Sequence, residues 1–202
     1  MGELSAFDIN NFSKYNPKIY IETGTGEAVS LKHAMKYKQF EKIYSIDIDG
    51  DLVESAKYLE RIDSRVNLIH NYSVEALEVL VPTIEKDKRV LFYLDAHFPG
   101  ADFHKVTYAE SIREFKESSM PLKEELEILL KYRNGLNDLI IIDDLSLYEE
   151  GNYECAKPLQ FKELQEEVGL RIDCNFVYEM FNDYVITKDY RQQGYLILLP
   201  KN

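Results

Sequence analysis

Short apolar runs alternate with stretches of helical spacing along most of the chain. Ile19–Ile21 is the first run; it meets Glu22 and then a turn carrying Gly24 and Gly26. Ala28, Leu31, Met35 and Phe40 follow at the spacing of one helix face. The rhythm repeats with a strand over Lys42–Asp49 and a helix over Asp51–Ile62, whose Leu52, Ala56 and Leu59 share a face. Val66–His70 reads as a third strand and Val74–Ile84 as a helix. Arg89–Leu94 is a fourth strand ending at Asp95, and Asp138–Ile142 a fifth ending at Asp143 and Asp144. Strands alternating with helices in this way form a parallel sheet with right-handed crossovers.

The rhythm breaks in three places. Phe98–Met120 is a polar insertion with scattered aromatics, after which Pro121 opens a helix over Leu122–Tyr132. Pro158–Val168 has helical spacing and stops at Gly169. The chain closes with one strand-like run within Phe176–Thr187 and another at Gly194–Leu199, joined by a short polar link that predicts antiparallel pairing. Residues 1–17, with Phe7, Phe12 and Tyr15, are expected to form a short helix or arm on the domain edge. The whole predicts one α/β domain over residues 1–202: a doubly wound sheet, mostly parallel, with a C-terminal antiparallel strand pair. The insertion, residues 98–120, is expected to act as a lid.

Bulk properties narrow this further. A chain of 202 residues buries one good core and is too short for two ordinary domains. No apolar run approaches the ~20 residues of a membrane span, so no membrane partner is expected. With 36 acidic against 24 basic residues the net charge is −12, which repels phosphate backbones and speaks against a nucleic-acid partner. Cys155 and Cys174 lack metal-site spacing, and the N-terminus lacks a secretory pattern; both give a cytoplasmic expectation. A homodimer is the default oligomer.

The candidate chemistry lies at the strand ends, where such sheets bind their ligands. Glu22, Asp47, Asp95, Asp143 and Asp144 each follow an apolar run, which places them on one rim. Taken singly, each is also a turn former or a helix cap. Together they concentrate negative charge that is costly unless it meets a cation or hydrogen-bond donors. The glycine turn beside them permits positive φ and close approach of a ligand.

These residues resemble the class I S-adenosylmethionine-dependent methyltransferases, from Ile19 to Pro200. Glu-Thr-Gly-Thr-Gly at 22–26 looks like that family's first motif, and Asp47 stands about twenty residues beyond it. The resemblance implies a Rossmann-like fold with S-adenosyl-L-methionine as cofactor. It also implies roles for individual residues: Glu22, Gly24 and Gly26 around the methionine part, Ser30 toward its carboxylate, Asp47 on the ribose hydroxyls, and Ser73 and Asp95 along the rest of the cofactor.

The closer similarity is to metal-dependent O-methyltransferases of the catechol and macrocin (macrolide-sugar) types. Leu-Asp-Ala-His at 94–97 and Pro-Leu-Lys-Glu-Glu-Leu at 121–126 resemble sugar-modifying members. This implies Mg²⁺ or another divalent cation held by Asp95, Asp143 and Asp144, with a small-molecule or sugar hydroxyl as acceptor. The insertion does not align with that pattern and leaves the acceptor open.

Beside Asp95, His97 is the candidate base, since histidine titrates near working pH. His104 is a second candidate, either histidine is an alternative metal ligand, and Lys105 and Lys123 remain further alternatives. Phe98, Phe103, Tyr108 and Phe115 line an acceptor pocket if the insertion is a lid, or a dimer contact if it is not. Three other functions compete. A metal-independent N- or O-methyltransferase using a histidine base needs no metal at Asp143 and Asp144. A non-catalytic member, binding only cofactor or a protein partner, needs rim acids that hold no metal and a lid closed by packing. An NAD-dependent oxidoreductase is disfavoured, because Val29 replaces the third glycine of Gly-x-Gly-x-x-Gly and Glu22 stands where a small apolar residue is usual.

Overall fold

The computed structural model describes residues 3–155 and 173–201. Seven strands form one sheet: β1 (Ile19–Thr23), β2 (Lys42–Asp47), β3 (Val66–His70), β4 (Val90–Leu94), β5 (Leu139–Ile142), β6 (Tyr184–Asp189) and β7 (Tyr195–Pro200). Their order is β3-β2-β1-β4-β5-β7-β6. The first five are parallel, and β7 runs antiparallel between β5 and β6. The chain leaves β1 in one direction through β2 and β3, then returns to β4 on the other side. That reversal opens a crevice at the carboxyl ends of β1 and β4.

Strand alternation divides the core in two, because successive side chains point to opposite faces. Ile19, Ile21, Phe92, Leu94, Ile140 and Ile142 pack on one face. They meet Ala76 and Leu77 of α4 (Ser73–Leu80) and Leu126 and Leu129 of α6 (Leu122–Arg133). Tyr20, Ile43, Leu91, Tyr93 and Ile141 pack on the other, against Leu31 and Ala34 of α1 (Val29–Met35). The arm joins that second face. Its 3-10 turns at Leu4–Ala6 and Ile9–Tyr15 bury Leu4, Ile9, Phe12 and Tyr15.

Several expected elements shift. The helix over Asp51–Ile62 is divided at Lys57 into α2 (Gly50–Ala56) and α3 (Tyr58–Ile62), and Phe40 is buried beyond the end of α1. Pro121 caps α6 rather than occupying its first turn. The first part of Phe176–Thr187 is α7 (Asn175–Met180), and β6 begins only at Tyr184. The insertion contains α5 (Tyr108–Phe115), opened by a capping box between Thr107 and Glu110. The helix expected over Pro158–Val168 lies outside the described residues. Among the described residues, no helix is long and apolar enough to cross a membrane.

Candidate functional site

β1 runs into Gly24 and Gly26, both at positive φ (85° and 49°). A Cβ on Gly24 would stand 2.7 Å from the Asp95 carbonyl oxygen, so the loop between β1 and α1 can lie against the end of β4 only with glycine there. The N–H of Gly26 donates to Asp47 Oδ2 at 3.0 Å, and the N–H of Asp49 donates to Oδ1 at 2.8 Å. These bonds fix the Asp47 carboxylate at the end of β2. Burial raises its pKa while the two backbone donors pull it down. Asp49, the neighbouring rival for the same role, is already committed: it caps α2 through the Asp51 N–H and pairs with Lys105 Nζ at 2.6 Å.

The crevice is a cleft of about 730 Å³, counting its part open to solvent. Ile48, Leu52, Tyr72, Ala96, Phe98 and Pro121 give it apolar walls, and Gly24, Gly26 and Ser73 also line it. Four aspartates line it (Asp47, Asp49, Asp95 and Asp102), and the lining holds neither lysine nor arginine. The insertion closes over one side. A Cβ on Gly26 would lie 3.4 Å from the Phe103 ring, and Lys105 reaches across to Asp49 and Asp51. Phe98 and Phe103 line the cleft; Tyr108 and Phe115 do not. Tyr108 instead packs edge-on against Phe98 and bonds Asp102. His104 is exposed.

Asp95 follows β4, His97 stands two residues on, and Asp144 follows β5. His97 Nε2 lies 2.9 Å from Asp144 Oδ2 and 3.2 Å from Asp95 Oδ1. One donor atom from each of the three lies within 4.8 Å of the others. On the far side of the ring, Nδ1 faces Asp102 Oδ2 at 3.7 Å.

Asp143 is not in this group; of the expected set Asp95, Asp143 and Asp144, the structure brings Asp95 and Asp144 together. Counting by twos from Leu139 and Ile141 puts Asp143 on the sheet face of Tyr93. There Tyr93 donates its hydroxyl to Oδ2, and the Asp144 N–H donates to Oδ1 at 2.6 Å. Burial, then the nearby charges of Asp95 and Asp144, push its pKa well above the usual carboxylate range. Asp144, equally buried, leaves that face because its backbone is left-handed (φ 53°), which turns the chain.

Glu22 and Ser30 are also turned from the cleft. Glu22 lies inside β1, fully buried, accepting hydrogen bonds from Tyr20 and Ser45 at 2.6 Å each. Burial pushes its pKa up to about 8, against the pull of those two donors. Ser30 faces the arm, where its Oγ accepts the Leu4 N–H at 3.0 Å.

Two acids near the cleft escaped the sequence reading. Asp102 lies in the insertion, whose path nothing local dictates. Glu125, on α6, is 1% exposed beside the hydroxyls of Ser73 and Thr23, and its Oε1 has no hydrogen-bond partner. Burial pushes its pKa up to about 7. Its signal was present: Leu122, Glu125, Leu126 and Leu129 share one helix face, the buried one.

No protein-family model matches the chain, and no curated protein matches it in sequence. Solved structures do match. A Staphylococcus aureus protein described as a caffeoyl-CoA O-methyltransferase aligns over 98% of this chain and 82% of its own, at 15% identity and a TM-score of 0.60. A methyltransferase of Podospora anserina, solved with S-adenosylhomocysteine bound, aligns over 96% and 76% at 15% identity and a TM-score of 0.58. The spermidine synthase of Thermotoga maritima aligns over 92% of this chain and 53% of its own, at 13% identity and a TM-score of 0.52. The chain therefore has the Rossmann-like fold of these enzymes.

Proposed function

We propose that the protein is an S-adenosylmethionine-dependent O-methyltransferase that acts, with a divalent cation, on the hydroxyl of a small molecule or sugar. The observation that carries this reading is the charge of the cleft: four aspartates, of which Asp49 is paired with Lys105, and no lysine or arginine among its described lining residues. A dinucleotide would bring a pyrophosphate into that field and be repelled. S-adenosylmethionine brings a sulfonium and an ammonium, and both are attracted. The fold of the matched methyltransferases supports the same choice.

In this reading the glycine turn admits the cofactor's backbone-hugging part, and the Asp47 carboxylate accepts from a vicinal diol with its remaining lone pairs. The apolar walls of Ile48, Leu52 and Tyr72 suit a flat base, with Ser73 at its edge. The sulfonium methyl then faces the Asp95–His97 side, where the acceptor enters beneath Phe98 and Phe103. Transfer is an in-line displacement: the acceptor oxygen forms a bond to the methyl carbon, and the carbon–sulfur bond breaks with its electrons left on sulfur. The acceptor proton passes, directly or through water, to a carboxylate of the cleft. The protein's main contribution is to hold the two reactants in line. Asp95, His97 and Asp144 fit a divalent cation in donor type and spacing, and such an ion would supply Lewis-acid polarisation of the acceptor hydroxyl.

The test is calorimetric titration of the protein with S-adenosylhomocysteine and, separately, with NAD⁺. Micromolar binding of the first and no heat from the second is the expected outcome. Absence of any S-adenosylhomocysteine heat sinks the reading.

A further inference from the structure

The resemblance implied a metal site of three carboxylates, a set of hard oxygens suited to Mg²⁺. The structure brings a different set of side chains together. Asp143 spends both its oxygens on Tyr93 and on the Asp144 N–H. In its place stands His97, whose Nε2 lies 2.9 Å from Asp144 and 3.2 Å from Asp95. The ring is almost fully enclosed, with 7% of its side chain exposed. Its second nitrogen faces a carboxylate too, Asp102 at 3.7 Å. A histidine with one nitrogen toward two carboxylates and the other backed by a third is the arrangement by which proteins set the tautomer of a metal-ligating imidazole.

We propose that His97 Nε2 is a metal ligand, completing with Asp95 and Asp144 a site for a first-row transition cation rather than Mg²⁺, with Asp102 as the residue that positions the ring. The inference rests on the methyltransferase reading only for the purpose of the site, not for its existence. Imidazole adds little affinity for Mg²⁺, which prefers oxygen and gives up its water reluctantly. It adds much for Mn²⁺, Fe²⁺, Co²⁺ or Zn²⁺. His97 Nε2 is then committed to the cation and is not the base that takes the acceptor proton. Asp102 comes from the insertion, so the same segment that covers the cleft also sets the ligand. Tyr108 braces it there through its bond to Asp102.

Co²⁺ is the probe, because its visible absorption and paramagnetism report on the ligands directly. The metal-free full chain is titrated with Co²⁺ and followed by absorption and by proton NMR. One bound Co²⁺ is expected, with a strongly shifted, solvent-exchangeable resonance from the imidazole Nδ1–H. Mg²⁺ should displace it only at roughly a hundredfold or greater excess. His97→Asn should lose that resonance and weaken Co²⁺ binding by roughly ten- to a hundredfold, and Asp102→Asn should speed the proton's exchange with water. Asp143→Asn should change Co²⁺ affinity by less than about twofold, since its partners are Tyr93 and the backbone.

Unchanged Co²⁺ affinity in His97→Asn overturns the proposal, as does its loss in Asp143→Asn. So does a wild-type spectrum without an exchangeable shifted proton, a readout that stands even if a variant fails to fold. S-adenosylhomocysteine titrated into the same samples separates the two readings. Binding of that compound without Co²⁺ binding sinks this proposal alone. Co²⁺ bound in the predicted way without S-adenosylhomocysteine binding keeps the metal site and sinks the cofactor assignment.

Discussion

Two sets of strand-end carboxylates sit within the same end of the sheet and lead opposite lives. Glu22 and Asp143 are buried on the tyrosine-bearing face, each accepting a hydroxyl proton from its own strand layer: Tyr20 for Glu22, Tyr93 for Asp143. Asp47 and Asp95 line the cleft, and Asp144 stands behind His97. What separates them is backbone direction rather than chemistry. Glu22 and Asp143 continue the two-residue alternation of β1 and β5, while Asp95 lies past the end of β4 and Asp144 is turned by its left-handed backbone. Burial of the first set favours its protonated forms, so these acids add little charge to the cleft. The field that a cationic ligand would meet therefore comes from the aspartates that line the cleft.

The partition can be broken at Glu22, where the largest effect is expected. Its carboxyl has a pKa of 4.5 in a free chain and about 8 in the fold. Between those values the folded protein holds a proton that the unfolded chain has released. Stability from this group is therefore complete below pH 4.5 and declines as pH rises through 8, a loss on the order of 3 kcal/mol by pH 7. Glu22→Gln should flatten that decline, so that urea unfolding shows the variant gaining on the wild type at pH 8 and not at pH 5. Its affinity for S-adenosylhomocysteine should hardly move. A large loss of affinity at unchanged stability would put Glu22 in the cleft after all.

Asp47→Ala should behave in the reverse way. Removing a charged acceptor from the ligand costs about 1.5–3 kcal/mol, or roughly ten- to a hundredfold in affinity, with little change in melting. Calorimetry on the folded variant decides it, and wild-type affinity would strike Asp47 from the site. The smallest effect is expected at Lys105, whose half-exposed ammonium pairs with Asp49 and Asp51 at the cleft edge. Lys105→Met should release S-adenosylhomocysteine roughly two- to fivefold faster in stopped flow, and high salt should erase the difference.

Much of this architecture was legible from apolar periodicity: the β1 to β5 alternation, the antiparallel closing pair and the glycine turn all follow from local pattern. The faces of the acids were legible as well, but only by counting in twos from Tyr20 and Ile141 rather than by noting where each run ends. Glu125 likewise follows from the period of α6. Ser30 and Asp102 are different. Ser30 turns away because the arm, distant in sequence, supplies the Leu4 N–H that it accepts. Asp102 reaches His97 because Phe98 packs on Tyr108 and the insertion folds back on itself. Neither contact leaves a trace in local spacing.

The strand that completes the sheet is the last one in sequence, β7, seated between β5 and β6. Its Tyr195 lies edge-on to Phe7 of the arm, with ring centres 4.8 Å apart, and its hydroxyl accepts the Glu3 N–H at 2.9 Å. While the chain is being synthesised, the arm lacks the wall that Tyr195 gives Phe7, and β5 keeps a bare row of amides and carbonyls. Translation must therefore pass Tyr195 before the arm finds all its contacts. A chain stalled a few codons earlier would present that open β5 edge to any neighbouring strand, which makes the nascent form the aggregation-prone one.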